Sequence, residues 1–549
     1  MTTTNRSPEP PPALLARPRR AEGVEVSAPA DEGAPWVVSR GGSYLRVGAD
    51  LARLIEGLDG RSDHEELALR LGPRWSADTV RQAVERLHGA GLIDDGQGKP
   101  KDARRRLKFV PPLTVQLTLF RPGRVFAGIV RSGRGLANRV SLLLLLAVAV
   151  AGIVALLASP ARTVAILGAP LPWQAYLAVI VAGVVATTLH ELGHGVALMH
   201  QGGRPSRLGV MLFYLVPAMF CDVSDAWRLP RPRQRVVVAL AGVLVQAVVG
   251  GVAALAAVLL PLPDAVEAGL VVFAVISYAA GVLNLIPFAK FDGYIALMSH
   301  LDRPNLRSDA IADARDETAR VLLGGRRGER RLPDLSWAVP YGLACLAFPV
   351  LLVLTVLGVY SDVLARAGVV GALVLAGVAV YLIFLAVRGA VRLITTARRH
   401  GARWGRIAGV VTAGVAAVVA ALVAVPVQYG IAGGYVTTQG SSYFVVMEGT
   451  QMIETPSVGD EVTMYQSGIL LAQQRGTGHV TSDSARQIEA PVEAFVPLDA
   501  VDDAVLPATA WPIESSGPVA QGPGTAVLDL GDRPLGQWLY LTYVAPVLR

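Results

Sequence analysis

The sequence predicts an α-helical polytopic membrane protein of about seven transmembrane helices, with a small N-terminal winged-helix-like cytoplasmic domain and a C-terminal all-β extracytoplasmic domain. Three observations predict this fold class. The 549 residues are 52% hydrophobic and only 17% charged, which excludes an ordinary soluble protein. Several apolar stretches are long enough to cross a bilayer, and the chain after residue 426 alternates in the manner of strands.

The membrane-spanning segments are the clearest feature. Each holds about 19 or more mostly apolar residues, against the roughly 20 needed to cross the hydrocarbon core. The predicted spans are 140–158, 173–199, 236–260, 266–288, 337–360, 369–387 and 407–425. Charged sequence precedes the first span, so we do not expect a cleavable secretory signal at the start of the chain.

The distribution of charge predicts the orientation. Lys and Arg concentrate before the first span and after the second, fourth and sixth, as expected of cytoplasmic loops. The part from Gln428 onward has no Lys, four Arg and thirteen Asp or Glu, so the formal charge of +7 combines a basic membrane half with an acidic tail. We therefore expect a multi-pass protein of a bacterial cell membrane, with a cytoplasmic N-terminus and an extracytoplasmic C-terminal domain.

The N-terminal region divides into two parts. Residues 1–32 are rich in Pro, Ser and Thr and are predicted to be disordered. Residues 33–99 show two strand-like runs, 36–39 and 44–47, and then three helix patterns, of which the second opens with a capping box from Ser62 to Glu65 and the third opens at Ser76. This order predicts a winged-helix-like domain; a structural cap or oligomerisation domain is the alternative role.

Binding to nucleic acid is not expected. The third helix of the N-terminal domain carries Arg81 and Arg86, but also Asp78 and Glu85. It therefore lacks the basic face that phosphate contacts require.

The remaining chain is assigned by composition. A basic juxtamembrane linker at 100–139 precedes a membrane core at 140–300, a cytoplasmic loop at 301–335 and additional transmembrane helices at 336–426. Residues 427–549 contain strand-like runs such as "SYFVVMEG" and "QWLYLTYV", separated by Gly, Pro and Asp. Only Cys221 and Cys345 occur, so no disulfide framework is predicted.

The second span contains "HELGHG" at 190–195. On a helix His190 and His194 are one turn apart and face the same direction, as two imidazoles must to share one metal ion. Glu191 lies beside them and can accept a proton from water, the arrangement of H-E-x-x-H zinc hydrolases. The alternative is a buried polar cluster that joins helices.

A catalytic zinc site requires a third protein ligand. The candidates are His200, Asp222, Asp225 and Asp292. We favour Asp292 because it follows the fourth span, which descends to the same side of the membrane as the motif, and because "DG" permits a tight turn. Its alternative role is to cap a loop beneath a transmembrane helix.

Together, "HELGHG" and "LNLIPFAKFDG" resemble the two signatures of the site-2 protease family of intramembrane zinc metalloproteases. The second signature is matched at Asn284, Pro287, Asp292 and Gly293, and the resemblance covers about residues 173–300. It implies that His190, His194 and Asp292 bind Zn²⁺, that Glu191 is the general base, and that Asn284 holds the substrate backbone.

A closer resemblance is carried by "DVSDAWRLPRPRQRVVVALAG" and "LDRPNLRSDA", which are similar to the multi-spanning branch of peptide zinc metalloproteases found beside genes for modified bacterial peptides. In that branch the N-terminal module resembles a leader-peptide recognition domain, and the tail resembles the β-rich part of membrane-fusion adaptor proteins. The expected Pro after "LAG" is Val243 here, and the expected Asn is Gln246.

The apolar segment 208–220 is too short to cross the membrane. We interpret it as a re-entrant or edge-strand element that pairs with an extended substrate; a membrane-surface anchor is the alternative.

Three functional hypotheses follow. The first is a zinc endopeptidase that hydrolyses a membrane-associated or leader-bearing peptide during its maturation. The second is a peptide export or immunity component whose external domain binds an envelope partner. The third makes the N-terminal domain the specificity element, which recruits a leader peptide to the edge of its 36–47 hairpin. Membrane lipid and a peptide substrate are the expected partners, and the oligomeric state is left open.

Overall fold

The computed structural model describes most of the chain. The described residues are 15–29, 36–40, 43–94, 107–110, 114–120, 122–133, 138–213, 216–366, 368–438, 441–450, 452–468, 470–499, 504–515 and 522–545. Predictions that fall on other residues, including disorder at 1–14, lie outside this part of the chain.

The N-terminal region forms a three-stranded antiparallel sheet followed by three helices. The elements are β1 (Glu25–Ser27), β2 (Trp36–Arg40), β3 (Ser43–Val47), α1 (Ala49–Glu56), α2 (His64–Leu71) and α3 (Ala77–Gly89), with strand order β1-β2-β3. Ser76 caps α3 through the N–H of Thr79, as expected. The predicted capping box at Ser62 is wrong, because Asp63 is the N-cap residue of α2 and Ser62 instead contacts Asp59.

The strand β1 lies in the segment for which the sequence predicts disorder. Its order has a physical cause in packing: Ala21 and Val24 are buried in the core of this region, together with Val38, Leu54 and other residues from the sheet and helices. The apolar residues of 15–29 are too widely spaced to show a period, yet they cover the core.

The next segment also differs from the expected linker. Residues 107–132 contain β4 (Leu107–Val110), β5 (Thr114–Phe120) and α4 (Gly123–Ser132). Phe126 of α4 is fully buried. The chain then continues through α5 (Arg139–Ala158), α6 (Pro160–Leu167), β6 (Leu171–Pro172) and α7 (Trp173–His200).

The apolar segment after α7 is a β-hairpin of β7 (Leu208–Phe213) and β8 (Val216–Cys221), in agreement with the edge-strand interpretation. It completes a four-stranded antiparallel sheet of order β4-β5-β7-β8, in which β8 is an outer strand. The predicted linker and the predicted edge element therefore belong to one sheet.

The remaining helices are α8 (Pro232–Leu259), α9 (Asp264–Leu285), α10 (Asp292–His300), α11 (Leu306–Thr318), α12 (Ala338–Arg366), α13 (Gly368–Arg399) and α14 (Trp404–Ala424). Among the described residues, seven helices are long and apolar enough to cross a membrane: α5, α7, α8, α9, α12, α13 and α14. The predicted number of spans and the polytopic helical class are confirmed. The segment 301–335, for which a cytoplasmic loop is predicted, contains α11 and a π-helical turn, Ala319–Leu323.

The C-terminal region is rich in β structure, as predicted. Its strands are β9 (Pro426–Thr438), β10 (Ser441–Met447), β11 (Glu461–Ser467), β12 (Ala472–Val480), β13 (Arg486–Pro491), β14 (Leu498–Asp499), β15 (Val505–Ser515) and β16 (Gly524–Pro534), followed by the short helix α15 (Leu535–Leu539). Pairing of β10 with both β9 and β15 closes six strands into a ring, which surrounds buried residues such as Phe444, Met464 and Leu528.

By residue contacts the chain forms two compact units. The first contains Met1–Ser141, Thr187–Val245 and Ile295–Asp302, and the second contains Leu142–Ala186, Gln246–Tyr294 and Arg303–Arg549. Four divisions between these units fall inside helices, namely α5, α7, α8 and α10.

Candidate metal centre

Two histidines of α7 form the centre of the candidate site. His190 and His194 are each 5% exposed, and their Nε2 atoms are 3.1 Å apart. Two nitrogens that each lie about 2.0–2.1 Å from one tetrahedral zinc ion are separated by about 3.3 Å. The imidazole pair therefore has the spacing that a shared zinc ion requires.

The orientation of the His194 ring is set by α8. Its Nδ1 lies 2.8 Å from the carbonyl oxygen of Val238. Because a carbonyl oxygen only accepts hydrogen bonds, Nδ1 is the donor, and the lone pair of the neutral ring is on Nε2. Metal-binding histidines are commonly oriented by such a second contact.

Asp292 is the residue that the structure groups with the two histidines. His190, His194 and Asp292 are buried, and one ligand atom from each lies within 4.8 Å of the others. Two imidazole nitrogens and a carboxylate oxygen are the donor types of catalytic zinc sites, so a buried group that could hold a metal ion is present. The choice of Asp292 as third ligand agrees with this grouping.

The glycine after Asp292 has a different role from the one expected. Asp292 is the first residue of α10, and a Cβ atom on Gly293 would lie 2.0 Å from the carbonyl oxygen of Leu285. The absence of a side chain therefore permits the start of α10 to contact the end of α9. Close packing, and not a tight turn, explains this glycine.

Gly242 of α8 faces the imidazole pair. A Cβ atom at this position would lie 2.4 Å from Nε2 of His194 and 2.7 Å from Nε2 of His190. Because Gly242 has no side chain, the surface of α8 leaves an open space next to the Nε2 atoms of the two histidines. This space supports the fit of a metal ion to the histidines.

Glu191 is held next to the sheet. Its Oε2 accepts a hydrogen bond of 2.6 Å from the backbone N–H of Cys221, the last residue of β8. Burial first, and the negative charges of Glu191 and Asp222 second, raise the pKa of the Cys221 thiol, so this cysteine stays protonated at neutral pH. The contact places the Glu191 carboxylate beside the outer strand of the hairpin.

The other acidic candidates, Asp222 and Asp225, bind residues of the segment between α7 and α8. Asp222 pairs with Arg207 at 2.9 Å, and Asp225 accepts from the backbone N–H of Arg204 at 2.7 Å. Burial alone raises the pKa of Asp222, but hydrogen bonds from Ser224, Ser206 and Arg207 outweigh it and hold that pKa below its ordinary value. Neither these residues nor His200 belongs to the group of described residues that could hold a metal ion.

Asn284 lies in the last turn of α9 and is half-buried. Its substrate-binding role stays a prediction.

One cluster was missed by the sequence reasoning. The Asp302 carboxylate binds Arg46 of β3 at 2.5 Å and contacts Arg235 of α8, which is 4% exposed. Both guanidinium groups lie over the Trp227 ring, at 5.5 and 5.3 Å from its centroid. The cluster connects the N-terminal sheet to α8, seven residues before Gly242.

The charge of this cluster is stable in the neutral range. Partial burial by itself raises the pKa of Asp302, but Arg46 and then Arg235 outweigh it and keep the pKa below its ordinary value. The signal that could have revealed the cluster is Arg235, the last of three closely spaced arginines and the one that directly precedes a long apolar span.

Comparison with known proteins adds no assignment: no family model, no curated protein and no solved structure matches the chain.

Proposed function

We propose that this chain is a zinc-dependent intramembrane endopeptidase that hydrolyses a membrane-associated or leader-bearing peptide, in maturation of a modified bacterial peptide. The observation that carries the proposal is the buried group of His190, His194 and Asp292, with a carboxylate, Glu191, next to one of its members on the same helix. Zn²⁺ held by these side chains would supply a Lewis acid that polarises the scissile carbonyl and acidifies water.

The residues of the chain then have separate tasks. The imidazoles and the Asp292 carboxylate would hold the Zn²⁺ ion. Glu191 accepts the proton of the attacking water and delivers it to the leaving nitrogen, so that one water is consumed and a carboxylate and an amine are formed. The Cys221 N–H fixes one carboxylate oxygen and so limits the rotation of Glu191.

The substrate is proposed to bind in an extended form. Peptide bonds in a helix are shielded, because each carbonyl is hydrogen-bonded and surrounded by side chains. The outer strand β8 offers backbone donors and acceptors for an added strand, and its last residue contacts Glu191. A peptide paired with β8 would therefore pass beside the general base.

Metal removal tests the proposal. We expect a strong zinc chelator to abolish cleavage of a leader-bearing peptide substrate, because the histidines and Asp292 alone do not polarise a carbonyl. Added Zn²⁺ should restore cleavage, and the measurement is product formation by mass spectrometry together with metal analysis. Cleavage that continues in protein free of bound metal would refute the proposal.

We further propose that the N-terminal sheet recruits the leader. Among the described strands its β3 pairs only with β2, and Leu45 of β3 is 41% exposed. An extended leader can add a strand to this edge. The domain would then set the affinity for substrate and leave the chemical step to the membrane helices.

A single substitution on β3 tests whether this strand recruits the leader peptide. Leu45→Asp is expected to raise KM for a leader-bearing substrate about tenfold and to change kcat little, because aspartate disfavours strand pairing and apolar contact. Leu69→Asp is the matched control, since Leu69 is 82% exposed on α2 of the same region. Equal KM values for the Leu45 and Leu69 variants would exclude β3 as the leader site.

The second candidate function is peptide export or immunity. The closed ring of strands at the C-terminus favours it, because such a domain offers a surface for an envelope partner. If the chain exports the peptide or protects the cell from it, export or resistance to the peptide should persist in His190→Ala. If the chain is a protease, the same substitution should abolish cleavage of the peptide. In both cases we place the chain in a bacterial cell membrane with a cytoplasmic N-terminus.

A further inference from the structure

The adjoining ends of α13 and α14 concentrate unneutralised positive charge. Residues 388–406 contain six arginines and no acidic residue: Arg388, Arg392, Arg398, Arg399, Arg403 and Arg406. None of the six makes an ion pair with another described residue, whereas Arg46, Arg207 and Arg235 each have a carboxylate partner. The segment therefore presents six cations without an internal counter-ion.

The arrangement of these arginines is built into the fold. Arg406 donates to the carbonyl oxygens of Val321 and Leu322 at 2.6 and 3.0 Å, at the end of the π-helical turn. Arg398 donates to the carbonyl oxygen of Ala402 at 2.7 Å and lies 4.6 Å from the centroid of the Trp404 ring. Carbonyl oxygens orient a guanidinium group but do not cancel its charge.

A neighbouring helix adds to the positive field. Arg315 of α11 is half-buried, and burial first and the charge of Arg392 second lower its pKa, with a further contribution from Arg331. Asp316 opposes this effect but does not reverse it. Cations held this close to each other favour the binding of an external anion.

The side of α14 beyond this charge is apolar and open. Trp404, the first residue of α14, is 62% exposed. An open apolar face follows along the helix and is formed by α14 residues alone, such as Val411, Val415 and Val419. At 1.5 Å per residue, Val411 is about 10 Å from Trp404 along the axis. Cationic and apolar surfaces thus follow each other along one helix.

Because a cationic surface is followed by an apolar surface, we infer that the adjoining ends of α13 and α14 bind an anionic phospholipid of the surrounding leaflet. The phosphate lies among Arg399, Arg403 and their neighbours, since guanidinium groups match phosphate oxygens in charge and geometry. Trp404 lies at the level of the headgroup, and one acyl chain packs along the apolar face of α14. This binding site is independent of the proposed hydrolysis.

The test uses the full-length protein, delipidated in neutral detergent. Binding of dioctanoyl phosphatidylglycerol and of dioctanoyl phosphatidylcholine is measured by native mass spectrometry and by the shift in Tm. We expect saturable binding of phosphatidylglycerol only. In the double variant Arg399→Gln and Arg403→Gln this binding should weaken about thirtyfold, because two cations near the anionic headgroup are lost.

Arg399 and Arg403 are suited to this substitution, because neither side chain makes a hydrogen bond to another described residue. The double variant Arg74→Gln and Arg86→Gln is the control, since both arginines are exposed in the N-terminal region and carry the same charge. Near-wild-type binding by the control supports the site. Three results would overturn it: equal binding of the two lipids, equal binding of glycerol phosphate without acyl chains, or a lipid-independent dimer formed through α14.

Discussion

Glu191→Gln is expected to reduce peptide hydrolysis about 10³-fold, the loss typical of removing a general base. The amide is nearly isosteric with the carboxylate, and its oxygen can still accept the 2.6 Å hydrogen bond from the N–H of Cys221. It cannot accept a proton from water at neutral pH. The measurement is the cleavage rate at saturating substrate, by chromatography of the products.

The zinc content of the variant distinguishes loss of the general base from loss of the metal site. Glu191 is not among the three grouped ligands, so the zinc content of the variant should equal that of the wild type. Glu267→Gln serves as control: Glu267 is in the first turn of α9, where it pairs with Arg162 at 2.6 Å. If Glu191→Gln kept wild-type activity, Glu191 would not be the base.

Gly242→Ala should remove the metal. The added Cβ atom would lie within 2.4–2.7 Å of both Nε2 atoms, and the backbone of α8 cannot retreat without losing its contact with α7. The imidazoles must then turn away from each other. We expect zinc affinity to fall at least tenfold, on the order of the loss seen when the groups that orient metal ligands are removed.

Chelator competition on the purified protein gives this affinity directly, without a substrate. Gly281→Ala is the matched control, because Gly281 is buried in α9 and an added Cβ atom would meet nothing within 4 Å. Asp292→Ala should lose zinc as Gly242→Ala does. Full zinc content in both variants would show that the zinc ion binds elsewhere.

Local periodicity was sufficient for much of the architecture. The apolar length of each span depends only on nearby residues, and all seven helices occur where such lengths do. The one-turn spacing of His190 and His194 likewise follows from helix geometry alone. The strand β1 and the sheet formed by β4, β5, β7 and β8 were not predicted, because their stability comes from partners distant in the chain.

The candidate site shows the same division. The sequence alone determined which residue types are present on α7: two imidazoles that share one helix face, and the carboxylate of Glu191 beside them. Only the tertiary structure decided that Asp292, about 100 residues later, joins them, that Gly242 leaves room between the imidazoles, and that Cys221 holds Glu191. The physical reason is that such contacts depend on the packing of separate elements, which no local period of the sequence encodes.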